Sequence, residues 1–125
     1  MEKKYLKLND IDAYKTAFRL SNYVWVIVTK WNNFAKNTIG QQFVRAADSI
    51  SANIAEGFGR YTKKDKIKFY RYSNGSIMES LDWNEKSIVR GILSEEEYNH
   101  IISELKKLRK ELNQLIKFTD QRLSI

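Results

Sequence analysis

The sequence predicts an all-α protein: one up-down-up-down antiparallel four-helix bundle with a left-handed turn. Three observations predict it. Apolar residues recur at steps of three and four through most of the chain, which sets them along one side of a helix. The 125 residues contain no proline and only five glycines, so little interrupts long helices. The stretches that do break the pattern are a few residues long, and connections that short make neighbouring helices antiparallel. The predicted helices span about 12–36, 38–58, 62–90 and 94–122, each roughly 30 to 45 Å long at 1.5 Å per residue.

A short amino-terminal arm is expected to run to Asn9, after which Asp10 or Asp12 can cap the first helix by accepting from its free amides. Tyr14, Ala17, Phe18, Ser21, Val24, Trp25, Val28, Trp31 and Ala35 then form the core-facing seam. Tyr23, Val26 and Phe34 lie off that seam and widen the apolar surface. The first break falls at Asn37–Gln41, where Thr38 and Gln41 have the spacing of a capping box. Gly57-Phe58-Gly59 is expected to end the second helix through a left-handed glycine, and Thr62 with Asp65 to open the third. Ile67, Tyr70, Asn74, Ile77, Met78, Leu81, Ile88 and Val89 mark the core side of that helix. Arg90-Gly91 closes it. Ser94 with Glu97 reads as a capping box and Leu93 with Tyr98 as a hydrophobic staple for the fourth helix, whose seam runs through Ile101, Leu105, Leu108, Leu112 and Leu115.

Length suits one domain with a core of its own. The absence of cysteine removes disulfides, zinc-thiolate sites and thiol nucleophiles together. No apolar run approaches the ~20 residues of a membrane span, and no apolar signal core follows the first charged residues, so the expected compartment is the cytoplasm with no membrane partner. The 22 basic residues outnumber the 15 acidic ones for a net charge of +7. That excess attracts phosphate polyanions and also serves solubility.

The stretch Ser49–Arg60 is the part least explained by helix building alone. At about 100° per residue, Arg45, Ser49, Asn53, Glu56 and Arg60 fall within an arc of roughly 80°, with the apolar Phe43, Ala47, Ile50, Ile54 and Phe58 on the other side. Such a polar stripe is either a solvated face or a hydrogen-bonded network at a contact. If Asn53 and Glu56 are buried they must find partners, since an unpaired buried polar group costs about 1 to 3 kcal/mol. Arg45, Arg60 or backbone amides near Gly75 and Ser76 can supply them.

Gln42-x-x-Arg45-Ala46, then Ser49-Ile50-x-Ala52-Asn53-Ile54-Ala55-Glu56-Gly57 with Arg60, and later Gly75-Ser76-x-x-Glu79, resemble the signature of the four-helix bundle family encoded in intervening sequences of bacterial large-subunit ribosomal RNA genes. That family is similar to the accessory variability protein of diversity-generating retroelements. The likeness runs from about Asp12 to Leu123. Ser51 stands where the family usually carries proline, and Val44 where a second basic residue often precedes Arg45. The resemblance implies self-association into a pentameric ring. In the retroelement relatives it also implies a reverse transcriptase and template RNA as partners.

Catalytic candidates are few. His100 is the only histidine and reads as a surface residue, without a second imidazole for a metal or an evident triad partner. Glu56 and Glu79 are the acids of the signature, but the Glu-x-x-His pattern of a di-iron bundle is missing, as is any phosphate-cradling glycine loop. No metal or cofactor is expected, and no enzymatic activity. The expected structural network comprises Arg45, Ser49, Asn53, Glu56, Gly57, Gly75, Ser76 and Glu79. Phe69, Tyr72 and Trp83 share, with Ser76, an arc of roughly 60° on the outer side of the third helix, and with Tyr23 and Val26 form the expected oligomer interface. Arg60, Lys63, Lys64, Lys68 and Arg71 near the start of the third helix, and Lys106, Lys110 and Lys117 on the fourth, form the expected surface for RNA or DNA. The rival expectation is a protein-interaction scaffold whose positive charge keeps it soluble.

Overall fold

The computed structural model of the chain describes residues 7–123, and among them there is helix and no strand. A single 3-10 turn, Leu8–Asp10, leads into α1 (Asp12–Thr29). The earlier part of the expected arm lies outside the described residues. After a three-residue break, α2 (Asn33–Ala35), a π-helical segment (Lys36–Gly40) and α3 (Gln41–Phe58) follow, and the residues at both joints keep right-handed helical angles, so these pieces make one rod. α4 (Lys63–Val89) and α5 (Glu95–Arg122) complete the four-helix bundle. α1 packs on α3 and α5, α3 on α4, and α4 on α5, which closes the four rods into a ring of antiparallel neighbours.

Local chemistry sets most of the ends. Ser94 Oγ accepts from the Glu97 amide at 3.1 Å while Glu97 Oε1 accepts from the Ser94 amide at 2.9 Å, the expected capping box of α5. Thr62 Oγ1 accepts from the Asp65 amide at 3.1 Å to open α4. Gly91 has φ of 75° and turns the chain out of α4, a conformation that favours glycine.

Several boundaries differ from expectation. α1 ends at Thr29, not near position 36, and the second rod begins at Asn32, whose Oδ1 accepts from the Ala35 amide at 2.9 Å. Asparagine there is a stronger cap than Thr38, which lies inside the helix and donates its hydroxyl to Phe34 O at 2.6 Å. Trp31 therefore sits in the turn and Ala35 in the second rod. Neither Asp10 nor Asp12 caps α1: Ile11 occupies that position, and Asp10 instead accepts from the Lys7 amide at 3.0 Å. Gly59 ends α3 with right-handed angles, φ −79°, not as a left-handed cap.

The core is built from Ala13, Ala17, Leu20, Val24, Ile27 and Val28 of α1, Phe43, Ala47, Ile50 and Ile54 of α3, Tyr70 and Ile77 of α4, and Ile101, Leu105, Leu108 and Leu112 of α5. Two parts of it depart from the sequence reading. Phe18 and Trp25, placed on the α1 seam, point outward at 52% and 56% exposure. On α4 the buried side carries Ser73, Ser80, Asn84 and Ser87 along with Tyr70 and Ile77, whereas Met78 and Val89, expected inside, are exposed. Small polar side chains are inside because they let two helix backbones approach. Ser73 Oγ donates to the Ile50 carbonyl of α3 at 2.8 Å, and Ser87 Oγ to its own helix at Trp83 O, 2.7 Å, so burial does not leave these hydroxyls unpaired.

Candidate functional site

α3 and α4 share one outer side of the bundle, and the signature residues are distributed over it. Their register is set at three points: the Ser73–Ile50 hydrogen bond, the seat of Gly57 against Tyr70, and Arg60 over Phe69. A Cβ on Gly57 would lie 2.6 Å from Tyr70 Cε1 and 2.9 Å from Lys66 O, so only glycine permits this approach. Lys66, unremarked in the sequence, donates its Nζ to Phe58 O at 2.7 Å and satisfies a carbonyl at the end of α3; burial lowers its ammonium pKa.

The polar stripe bonds along its own helix. Ser49 Oγ donates to Arg45 O at 2.8 Å, Asn53 Nδ2 to Ser49 O at 2.9 Å, and Glu56 Oε2 pairs with Arg60 Nη2 at 2.6 Å with both side chains about half exposed. The clasp expected to reach Gly75 and Ser76 does not form. Gly75 is exposed with open space beyond it, and Ser76 Oγ donates to Tyr72 O at 3.4 Å within α4. Glu79 accepts from Trp83 Nε1 at 3.3 Å, again within α4.

Beside the stripe stand the aromatics. Phe69 and Tyr72 meet edge to face at 5.3 Å, and the Arg60 guanidinium lies 4.5 Å from the Phe69 ring centre. Tyr72 is exposed, whereas Phe69 and Trp83 are half-buried. Val26 is exposed on α1. Tyr23 packs inside its own chain against His100 of α5 at 4.4 Å, and burial, with Glu97 and Glu96 behind it, raises its hydroxyl pKa.

The basic residues divide into engaged and free. Arg60 is held by Glu56, and Lys63 Nζ donates to Asp120 O at 3.0 Å with the Asp120 carboxylate 3.9 Å away. Lys64, Lys68, Arg71, Lys106, Lys110 and Lys117 are exposed, and none takes part in an ion pair among the described residues. Contacts of Asn74 with Asn113 (3.3 Å) and of Arg109 with Met78 (3.8 Å) hold α4 against α5, so the two rows occupy neighbouring faces. Six unneutralised cations on adjoining helices give this side of the bundle a positive surface.

Other chemistry is sparse. Among the described residues, no three His, Cys, Asp or Glu groups converge as metal ligands do, and no helix is long and apolar enough to cross a membrane. A groove of about 250 Å³ lies between the start of α1 and the end of α5, lined by Ile11, Asp12, Ala13, Glu111, Gln114, Leu115 and Phe118.

Among curated proteins, none matches this chain. The chain is similar to a crystallised protein of unknown function from the S23 ribosomal protein family of Bacteroides thetaiotaomicron, at 22% identity over 84% of this chain and 95% of the other, with a TM-score of 0.78. At that identity the likeness carries the fold. The profile of the 23S rRNA-intervening sequence proteins matches residues 9–114, which takes in α1 to α4 and most of α5. With that match over most of its length and the bundle seen here, the chain belongs to the 23S rRNA-intervening sequence protein family.

Proposed function

We propose that this chain is a non-enzymatic binding module that assembles into a pentameric ring and holds nucleic acid, structured RNA foremost, on the basic side formed by α4 and α5. The observation that carries the proposal is the pair of free cation rows, Lys64, Lys68 and Arg71 beside Lys106, Lys110 and Lys117. Without carboxylate partners to displace, each can meet a phosphate at little electrostatic penalty. Binding of this kind is driven by counterion release and reads shape and charge more than sequence. One subunit offers a handful of contacts, and a ring multiplies them by avidity.

Titration of a labelled structured RNA at two salt concentrations tests the proposal. Six phosphate contacts predict a loss of roughly a thousandfold in affinity between about 50 and 200 mM salt. Replacing Lys64, Lys68 and Arg71 together by Glu should abolish binding while leaving the helical content intact. Affinity indifferent to salt, no binding at low salt, or full binding by the triple variant overturns the assignment. The rival is a protein-interaction scaffold, favoured by the exposed Tyr72 beside Phe69 and Trp83; it is the reading left standing if RNA does not bind.

A further inference from the structure

We infer that assembly joins two unlike sides of the bundle, the α1 side carrying Phe18 and Trp25 in one copy seating against the α4 side carrying Phe69, Tyr72 and Trp83 in the next. The inference rests on the ring reading above and says how the ring closes.

The first side is visible only in the structure. Phe18 and Trp25 are more than half exposed, and Tyr14 extends the patch with its ring 6.0 Å from that of Phe18. Tyr23 marks the α5 side of α1 through its contact with His100. At about 100° per residue, Trp25 lies roughly 200° and Phe18 roughly 220° around the helix from Tyr23, which places both away from α5 and on the flank of α3. Val28, on that same flank, is the side chain a Cβ on Gly40 would strike at 2.7 Å. The second side flanks α3 from the other direction, as the Arg60–Phe69 and Gly57–Tyr70 contacts show.

A twofold contact would pair each patch with its own copy and leave the other patch wet. Joining unlike patches covers both in every subunit. Patches on opposite sides of a bundle would stack copies into a straight filament. These two lie on adjacent sides that share α3, so each copy is turned by roughly a quarter to a fifth of a revolution relative to the last, and the chain of contacts closes after about four or five copies. Charge agrees with a second copy as the occupant. Asp48 lies half a turn around α3 from Gly57, hence toward the α1 side, and among the described residues is in no ion pair; partial burial raises its carboxyl pKa. The stripe bordering the aromatic side carries Arg45, an exposed cation likewise in no ion pair.

Light scattering on two variants tests the pairing. Trp25→Glu spoils the first side and Tyr72→Glu the second; both residues are more than half exposed, so helical content by circular dichroism should match the wild type. At a subunit concentration where the wild type is a ring, each variant alone should be monomeric. Mixed in equal amounts, the two retain one intact contact and should form a particle of twice the subunit mass and nothing larger. Phe18→Glu is a second lesion of the first side and should behave as Trp25→Glu does. A mixture that stays monomeric, or a Trp25→Glu protein that assembles as the wild type does, overturns the pairing while leaving the ring. A wild type that is monomeric throughout overturns the ring and the pairing with it.

Discussion

Replacing Gly57 by alanine should destabilise the bundle, although alanine is the better helix former. In an unobstructed helix interior the change would add about 0.5 to 1 kcal/mol of stability. Here the new methyl would meet Tyr70 Cε1 at 2.6 Å, Tyr70 Cδ1 at 2.8 Å and Lys66 O at 2.9 Å. Ordinary contact is reached only above 3.4 Å, so α3 and α4 must separate by the better part of an ångström. Neither obstacle yields easily, because one is a ring only 2% exposed and the other is backbone. Separation also stretches the 2.8 Å bond from Ser73 to Ile50, two turns along α3. Overpacking of this kind costs about 2 to 3 kcal/mol, which leaves a net loss of about 1 to 2 kcal/mol. At roughly 4 °C per kcal/mol for a chain of this size, Tm should fall by about 4 to 8 °C. The internal control is Gly75→Ala, a helical glycine with open space at its Cβ, which should raise Tm by about 2 to 4 °C. Thermal unfolding followed by circular dichroism at one fixed subunit concentration measures both, since self-association would add a concentration-dependent term. A Gly57→Ala protein as stable as the wild type refutes the claim that this glycine sets the distance between α3 and α4.

Ser73→Ala should cost about 1 kcal/mol by removing the hydroxyl that reaches α3, whereas Ser80→Ala, which removes a buried hydroxyl with no partner, should be neutral or stabilising; urea unfolding separates the two. Ser94→Ala breaks the capping box of α5 and should lower stability by about 1 kcal/mol in the same assay. Burial pushes the Tyr70 hydroxyl pKa from 10.0 up to about 12. Because the folded value lies above the unfolded one, the associated stability is intact below about pH 10 and is lost as pH rises through about 12, amounting to about 2 to 3 kcal/mol. Unfolding measured across that interval should show a loss that Tyr70→Phe reduces, and an equal loss in both proteins would contradict the assignment.

The helical periodicity, the absence of proline and the Ser94–Glu97 box are local properties, and from them the sequence alone determined four antiparallel helices and the clean start of α5. It also marked Lys64, Lys68, Arg71, Lys106, Lys110 and Lys117 as basic residues at helical spacing, but that they are free while Lys63 is held by Asp120 was decided by the packing. Which side of each helix turns inward was decided by the tertiary structure. Hydropathy ranks Trp25, Met78 and Val89 as core residues and Ser73, Ser80 and Ser87 as surface, yet the bundle buries the serines, and Ser73 reaches the Ile50 carbonyl of α3 at 2.8 Å. The same holds for the candidate site. Arg45, Ser49, Asn53 and Glu56 were legible as a stripe, but that their bonds stay within α3 depends on where α4 lies relative to it. Periodicity arises from the 3.6-residue turn of a single helix; inward direction is a relation between helices, and only the packed bundle contains it.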